Sequence, residues 1–221
     1  YEGLLMTKDT SPKCIIFDCD GTLVDSEHVT NQIIAEMAGE LGITMTGDEA
    51  TATFGGKTLD SVLYKMRELS GKEIPDDWLS RLIKRVSEVW KTELKPINGV
   101  RELLESLKIP ICVASNGKPI HINQSLRMTG LHHFFDGNIF SASDVGVPKP
   151  APDLFLYAAE KMGFKPEECI VVEDSITGVT AAVRAKIKVY GFVKLCSAEE
   201  LKNAGATPFT KMQDLSGLLG I

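Results

Sequence analysis

The stretch Cys14-Ile15-Ile16-Phe17-Asp18-Cys19-Asp20-Gly21-Thr22 runs from four apolar residues straight into two aspartates separated by one residue. Four apolar residues before a polar turn predict a buried strand. Residues two apart on a strand project to the same side, so both carboxylates are expected to address one small ligand. Gly21 then lets the chain turn without blocking that approach. Buried carboxylates this close repel unless a cation or a shared proton lies between them. The pattern therefore asks for a divalent metal, and hard oxygen ligands suit Mg2+.

Beyond this turn the pattern changes. From Glu27 to Lys95 apolar residues recur at helical spacing: Ile33, Ile34, Met37, Ala38 and Leu41, then Leu59, Val62, Leu63, Met66 and Leu69, then Leu79, Leu82, Ile83, Val86, Val89 and Trp90. These three runs predict an all-helical insert punctuated by Gly42, Gly55-Gly56, Gly71 and Pro75. From Pro96 onward helices and strands alternate. Helices are expected over 100–108, 119–129, 152–162, 176–185 and 211–219. Strands are expected over 111–115, 139–141, 169–173, 189–192 and 207–209. Doubly buried strands separated by helices imply an α/β fold, a Rossmann-like parallel doubly wound sheet. Residues 12–26 and 96–221 are assigned to the core and 27–95 to the insert; the residues before the core are left out of the fold.

Apolar content of 43% and charged content of 24% suit a folded protein. A net charge of −6 without a Lys/Arg block argues against nucleic-acid or anionic-membrane partners, and no apolar run is long enough to span a bilayer. The five cysteines are dispersed without a CxxC pair, which predicts reduced thiols and, with no signal-peptide pattern in the first residues, a cytoplasmic location. A monomer is expected, because no additional apolar surface is readable.

In such sheets ligands bind at the carboxyl ends of the strands. That places Asp18 and Asp20, Ser115-Asn116-Gly117, Glu173-Asp174 and, from a loop between prolines, Lys149 around one crevice. Asp18 is suited to attack phosphorus. Asp20 can protonate a departing alkoxide and later deprotonate water. Asp18, the Asp20 carbonyl and Asp174 would hold the metal, with Glu173 supporting through water. Ser115, the Asn116 amide and Lys149 would bind phosphoryl oxygens, and Lys149 is expected to keep Asp18 ionised.

In this order the residues resemble the haloacid dehalogenase (HAD) superfamily: motif I at Asp18-Cys19-Asp20-Gly21-Thr22, motif II at Ser115, motif III at Lys149, motif IV at Glu173-Asp174-Ser175. The helical insert resembles that superfamily's C1 cap. The likeness is greatest to the branch of β-phosphoglucomutase and the small sugar-phosphate phosphatases. It implies a magnesium-dependent phosphatase acting on a small-molecule phosphate ester through an aspartyl phosphate. The segment Val113-Ala114-Ser115-Asn116-Gly117 looks like phosphatases of 6-phosphogluconate and related sugar phosphates.

Within the superfamily, Asp20 points to phosphate esters, because dehalogenases proper lack this acid. The mutase is the rival reading. Its cap carries an arginine where Leu59 stands here, and a histidine ten residues after the acid, where Thr30 stands. Both departures favour hydrolysis. On the insert, Glu27, Thr53, Gly55, Gly56 and Lys57 are the candidate substrate-facing residues, with a plain interhelix turn as the alternative. Lys57 and Lys65 are otherwise expected on solvated helix surface, His132-His133 as a surface pair, His28 in the crevice or on the hinge surface, and Trp78 and Trp90 in insert packing.

Overall fold

The computed structural model describes residues 11–220 except Gly56, Thr58 and Asp136. Six strands form one parallel sheet: β1 Cys14–Phe17, β2 Ile111–Ser115, β3 Ile139–Ser141, β4 Cys169–Glu173, β5 Lys188–Phe192 and β6 Thr207–Phe209, in the order β3-β2-β1-β4-β5-β6. Successive connections run one way from β1 to β3, and the chain then crosses back so that β4 lies on the other side of β1. The crevice at this reversal is where open α/β sheets hold their ligands.

Alternation along the strands builds two cores. Ile15, Phe17, Val113, Val172, Tyr190 and Phe192 face one side and pack on α5 Val100–Ser106, α6 Pro119–Met128 and α11 Leu215–Leu219. Cys14, Ile16, Cys112, Ala114, Val171 and Val189 face the other and pack on α8 Asp153–Lys161, α9 Ile176–Arg184 and α10 Ala198–Asn203. With helices on both faces the sheet is doubly wound, as its uninterrupted apolar strands require. The five cysteines are free, four of them buried and Cys196 partly so. No described helix is long and apolar enough to cross a membrane.

Between β1 and α5 the described residues form four α-helices: α1 Ser26–Ala38, α2 Gly47–Phe54, α3 Leu59–Ser70 and α4 Trp78–Glu93. They share a third apolar cluster, including Ile33, Met37, Phe54, Met66, Trp78 and Leu82, that draws on no residue of the sheet. Trp78 anchors it, its indole N–H donating to the Met37 carbonyl at 3.4 Å. The two connecting segments lie side by side: Asp25 N–H donates to the Lys95 carbonyl and Ile97 N–H to the Leu23 carbonyl, both at 2.9 Å.

Several elements differ from the sequence expectation. Helix α2 is additional, because only Ala50 and Phe54 are buried on its eight residues and so short a stripe gives little periodicity. Its start is nonetheless written as a capping box, Thr46 with Glu49. Helix α10 and the short α7 Ala142–Val145 are likewise additional, and both begin on serine capping boxes, Ser197 with Glu200 and Ser141 with Asp144. The closing helix begins only at Leu215, after a 3-10 turn over Met212–Asp214.

Candidate active site

Strand β1 stops at Phe17, so neither aspartate stands on the strand as the spacing suggests. Asp18 N–H still donates to the Val172 carbonyl of β4 at 2.9 Å, which fixes Asp18 beside the end of that strand. Asp20 lies on the turn beyond and forms an isolated bridge to Val24. The two carboxylates reach a common site with different partners, because the turn and not the pleat aims them.

Asp18 meets Lys149, whose ammonium donates to Asp18 Oδ1 at 2.6 Å and to Glu173 Oε1 at 2.9 Å. Phe155 of α8 lies under that ammonium, 4.5 Å from Nζ to the ring centroid. The lysine is buried, 4% exposed, and a buried cation is tolerable only with such partners. Although burial opposes its charge, the Asp18 and Glu173 carboxylates hold the Lys149 ammonium above its usual range.

Glu173 is fully committed. Its other oxygen accepts from Ser175 N–H at 2.7 Å and Ser175 Oγ at 2.8 Å, and Ser175 Oγ in turn caps α9 by accepting from Gly178 N–H at 3.0 Å. Gly178 is obligatory there, since a Cβ would fall 1.7 Å from Glu173 Oε1. Asp174 accepts from Thr22 Oγ1 at 3.0 Å and is overlain by Gly21. That glycine has φ +86°, and a Cβ on it would fall 2.2 Å from Asp174 Oδ2. The acid of motif IV is therefore packed directly against the turn of motif I.

Asp20 accepts from Ser26 Oγ at 2.6 Å, a contact made by the first residue of α1. The Ser115 hydroxyl is buried at the end of β2 and accepts from Gly117 N–H at 3.0 Å. Asn116 does more than offer a backbone amide. Its Oδ1 accepts from Lys149 N–H at 2.8 Å and its Nδ2 donates to the Lys149 carbonyl at 3.4 Å.

The electrostatics correct one expectation. Burial raises the Asp18 carboxyl to about 8, outweighing Lys149, which pulls it down. Lys149 alone therefore does not offset the burial of Asp18. Burial also raises Asp20, against Ser26, Lys149, His121 and Lys194, and it raises Asp174 strongly, with repulsion from Glu173, Asp18 and Glu27 adding to it. Four buried or near-buried carboxyl groups surround one ammonium, so the site carries a deficit of positive charge. The donor set fits a hard cation: oxygens of Asp18, Glu173 and Asp174 lie within 4.8 Å of one another, and all three residues are buried.

The insert candidates divide. Glu27 comes close enough to Asp174 to repel it. Gly55 ends α2 and borders a cavity with Lys194 and Leu195. Thr53 donates its hydroxyl to the Glu49 carbonyl of its own helix at 2.7 Å, and Lys57 is exposed. Gly56 lies outside the described residues. His132 shares a hydrogen bond with Asn123 at 3.0 Å and His133 stacks on Phe134, so neither faces the acidic cluster. The sequence does not single out Ser26, Thr22, His121 and Lys194; Thr22 ends motif I and Ser26 lies just beyond it, so both hydroxyls were open to notice as donors to the acids, Thr22 to Asp174 and Ser26 to Asp20.

A family model described as haloacid dehalogenase-like hydrolase matches residues 12–186. The chain belongs to this family. It is 30% identical over 207 residues to 6-phosphogluconate phosphatase of Escherichia coli (strain K12), covering 93% of this chain and 94% of that protein. It is also 30% identical over 212 residues to a phosphorylated carbohydrates phosphatase of Thermotoga maritima, covering 94% and 98%. Among solved structures, a HAD family hydrolase from Deinococcus radiodurans R1 with bound phosphate and sodium superposes with a TM-score of 0.86 at 30% identity, covering 96% of each chain. The chain is thus a HAD hydrolase of the phosphatase kind.

Proposed function

We propose that this HAD phosphatase hydrolyses small sugar or sugar-acid phosphate monoesters through an aspartyl phosphate on Asp18. The observation that carries the proposal is the Asp18 carboxylate, gripped on one oxygen by a buried lysine and set beside Asp174 at the sheet's reversal point. Mg2+ held by Asp18, the Asp20 carbonyl and Asp174, with Glu173 behind them, would supply the missing positive charge and polarise the phosphoryl group.

The side chains divide the remaining work. Lys149, the Ser115 hydroxyl and the Asn116 amide bind the phosphoryl oxygens and orient phosphorus toward Asp18. An Asp18 oxygen attacks in line and the bond from phosphorus to the alcohol oxygen breaks. Asp20 delivers its proton to that oxygen; its raised pKa suits a group that must begin protonated. Ser26 holds Asp20 in position. In the second half Asp20, now a base, takes a proton from water, which attacks phosphorus and returns Asp18 as carboxylate. Residues 27–95 act as a cap that excludes bulk water while the connecting segments flex, and Glu27, Gly55, Gly56 and Lys57 are its substrate-side candidates.

Magnesium-dependent phosphate release across sugar, sugar-acid and polyol phosphates, with Asp18→Asn as the blank, tests this reading. Release by the wild type and none by the variant is expected. Equal release by both would remove the covalent route.

A further inference from the structure

Beside the acidic crevice lies a second space, about 350 Å³, between α2 of the insert and the segment that follows β5. Asp48, Thr51, Ala52 and Gly55 wall it from the insert, and Lys194 and Leu195 from the sheet. Gly55 and Leu195 meet closely here, since a Cβ on Gly55 would fall 3.3 Å from Leu195 Cδ1. Lys194 also reaches in the other direction. Its ammonium donates to Asp25 Oδ1 at 2.7 Å, on the segment joining β1 to α1, and it is close enough to Asp20 to draw that carboxyl down. One cation therefore borders both the cavity and the neighbourhood of the acid that protonates the leaving alcohol.

The pairing of Lys194 with Asp25 is of a kind that exchanges. The two side chains are 21% and 37% exposed, so water reaches both partners and can take the place of either. Asp25 is fixed by its own backbone, with N–H donating to the Lys95 carbonyl, and water can solvate its carboxylate if the lysine leaves. Lys194 is the mobile partner, a point charge on a flexible stem. The opposite wall carries Asp48, which would disfavour an anion that strayed from the lysine.

We propose that Lys194 selects substrates by the charge on their alcohol portion, exchanging Asp25 for a carboxylate that enters the cavity. This rests on the phosphatase reading and names the substrate class within it: phosphate esters bearing a second, carboxylate anion remote from the phosphate. Lys194 is a specificity residue, and it takes no part in the bond changes at phosphorus.

The test compares 6-phosphogluconate with glucitol 6-phosphate, which differ only in a carboxylate against a hydroxymethyl group at the far carbon. The ratio of their kcat/KM values is expected to favour the acid in the wild type. It should fall about tenfold in Lys194→Gln, mainly through KM, and recover in Lys194→Arg. Asp25→Asn, which releases the lysine, should raise the ratio. If Lys194 merely clamps the connecting segment, Lys194→Gln and Asp25→Asn will move both substrates in parallel, and the proposal fails. It also fails if a wild type that hydrolyses both esters shows no preference for the acid. Calorimetric binding of the two esters to Asp18→Asn reads the same discrimination without turnover. A preference for the acid there that disappears in Asp18→Asn/Lys194→Gln, in a wild type that hydrolyses neither ester, would uphold Lys194 and overturn the hydrolase reading alone.

Discussion

Asn116 Oδ1 accepts the Lys149 backbone N–H at 2.8 Å, so the residue after β2 fixes the base of the lysine that reaches Asp18. The tie spans 33 residues and joins the loop after β2 to the loop that carries Lys149. Asn116→Ala is expected to cost about 1 kcal/mol of stability. It should lower kcat/KM about tenfold, since the ammonium loses its fixed origin. Steady-state kinetics beside a denaturant titration checks both.

Asp18→Asn should abolish turnover, a loss on the order of 10³ or more. Its melting temperature should stay within a few degrees of the wild type. Lys149 keeps Glu173 as a counter-charge, and one member of a repelling acidic group is gone. Phosphate release and thermal melting on the same preparation give the two readings, and a variant that no longer folds would contradict the second.

Asp20→Ala should slow both halves of the reaction, by about 10²–10⁴ for esters with poor leaving groups. Esters of acidic phenols, whose leaving oxygen needs no proton, should suffer less in the first half. A single-turnover comparison of alkyl and aryl phosphates separates these effects. Equal losses on both would remove the acid role.

Stability and metal should be linked through pH. Burial raises the Asp18 carboxyl of the folded protein to about 8, whereas in the unfolded chain it returns to its ordinary 3.8. Between these values the folded state binds more protons, so metal-free stability falls as pH rises and stops falling on this account above about 8. Mg2+ competes with that proton. The rise in melting temperature on adding Mg2+ is therefore expected to be larger at pH 8 than at pH 5, and scanning calorimetry at the two values tests the sign.

Gly178→Ala would set a methyl group 1.7 Å from Glu173 Oε1. Glu173 must then move, and it carries Lys149 and Ser175 with it. A loss of about 3 kcal/mol, roughly 10 °C in melting temperature, is expected together with most of the activity. Normal kinetics in this variant would show that the Glu173 hydrogen bonds are dispensable.

The sheet and the acidic crevice were legible because they rest on short-range signals. Apolar strands such as Cys14–Phe17 and Cys169–Glu173 end in Asp18 and Asp174, and topology brings such ends together. Less legible was whatever depended on where a side chain turns after its strand. Spacing put Asp18 and Asp20 on one strand face, whereas the turn gives them Lys149 and Ser26 as separate partners. The balance at Asp18 was less legible because charge counting sees Lys149 and not the depth of burial, which is the larger influence. Helix α2 escaped because a periodicity of two buried residues is no periodicity, although Thr46 and Glu49 announced its start. Lys194 lies 169 residues from Asp25, and nothing local in the sequence relates them.

Asp25 and Lys95, joined by one 2.9 Å hydrogen bond, make a single doorway through which the chain leaves the sheet and returns. The helices beyond it are a cassette with their own interior, so a short turn across the doorway would close the sheet without stretching a strand. Chimeras that trade cassettes at these two residues are expected to keep the sheet's chemistry and, because Lys194 stays with the sheet, part of its parent's appetite as well.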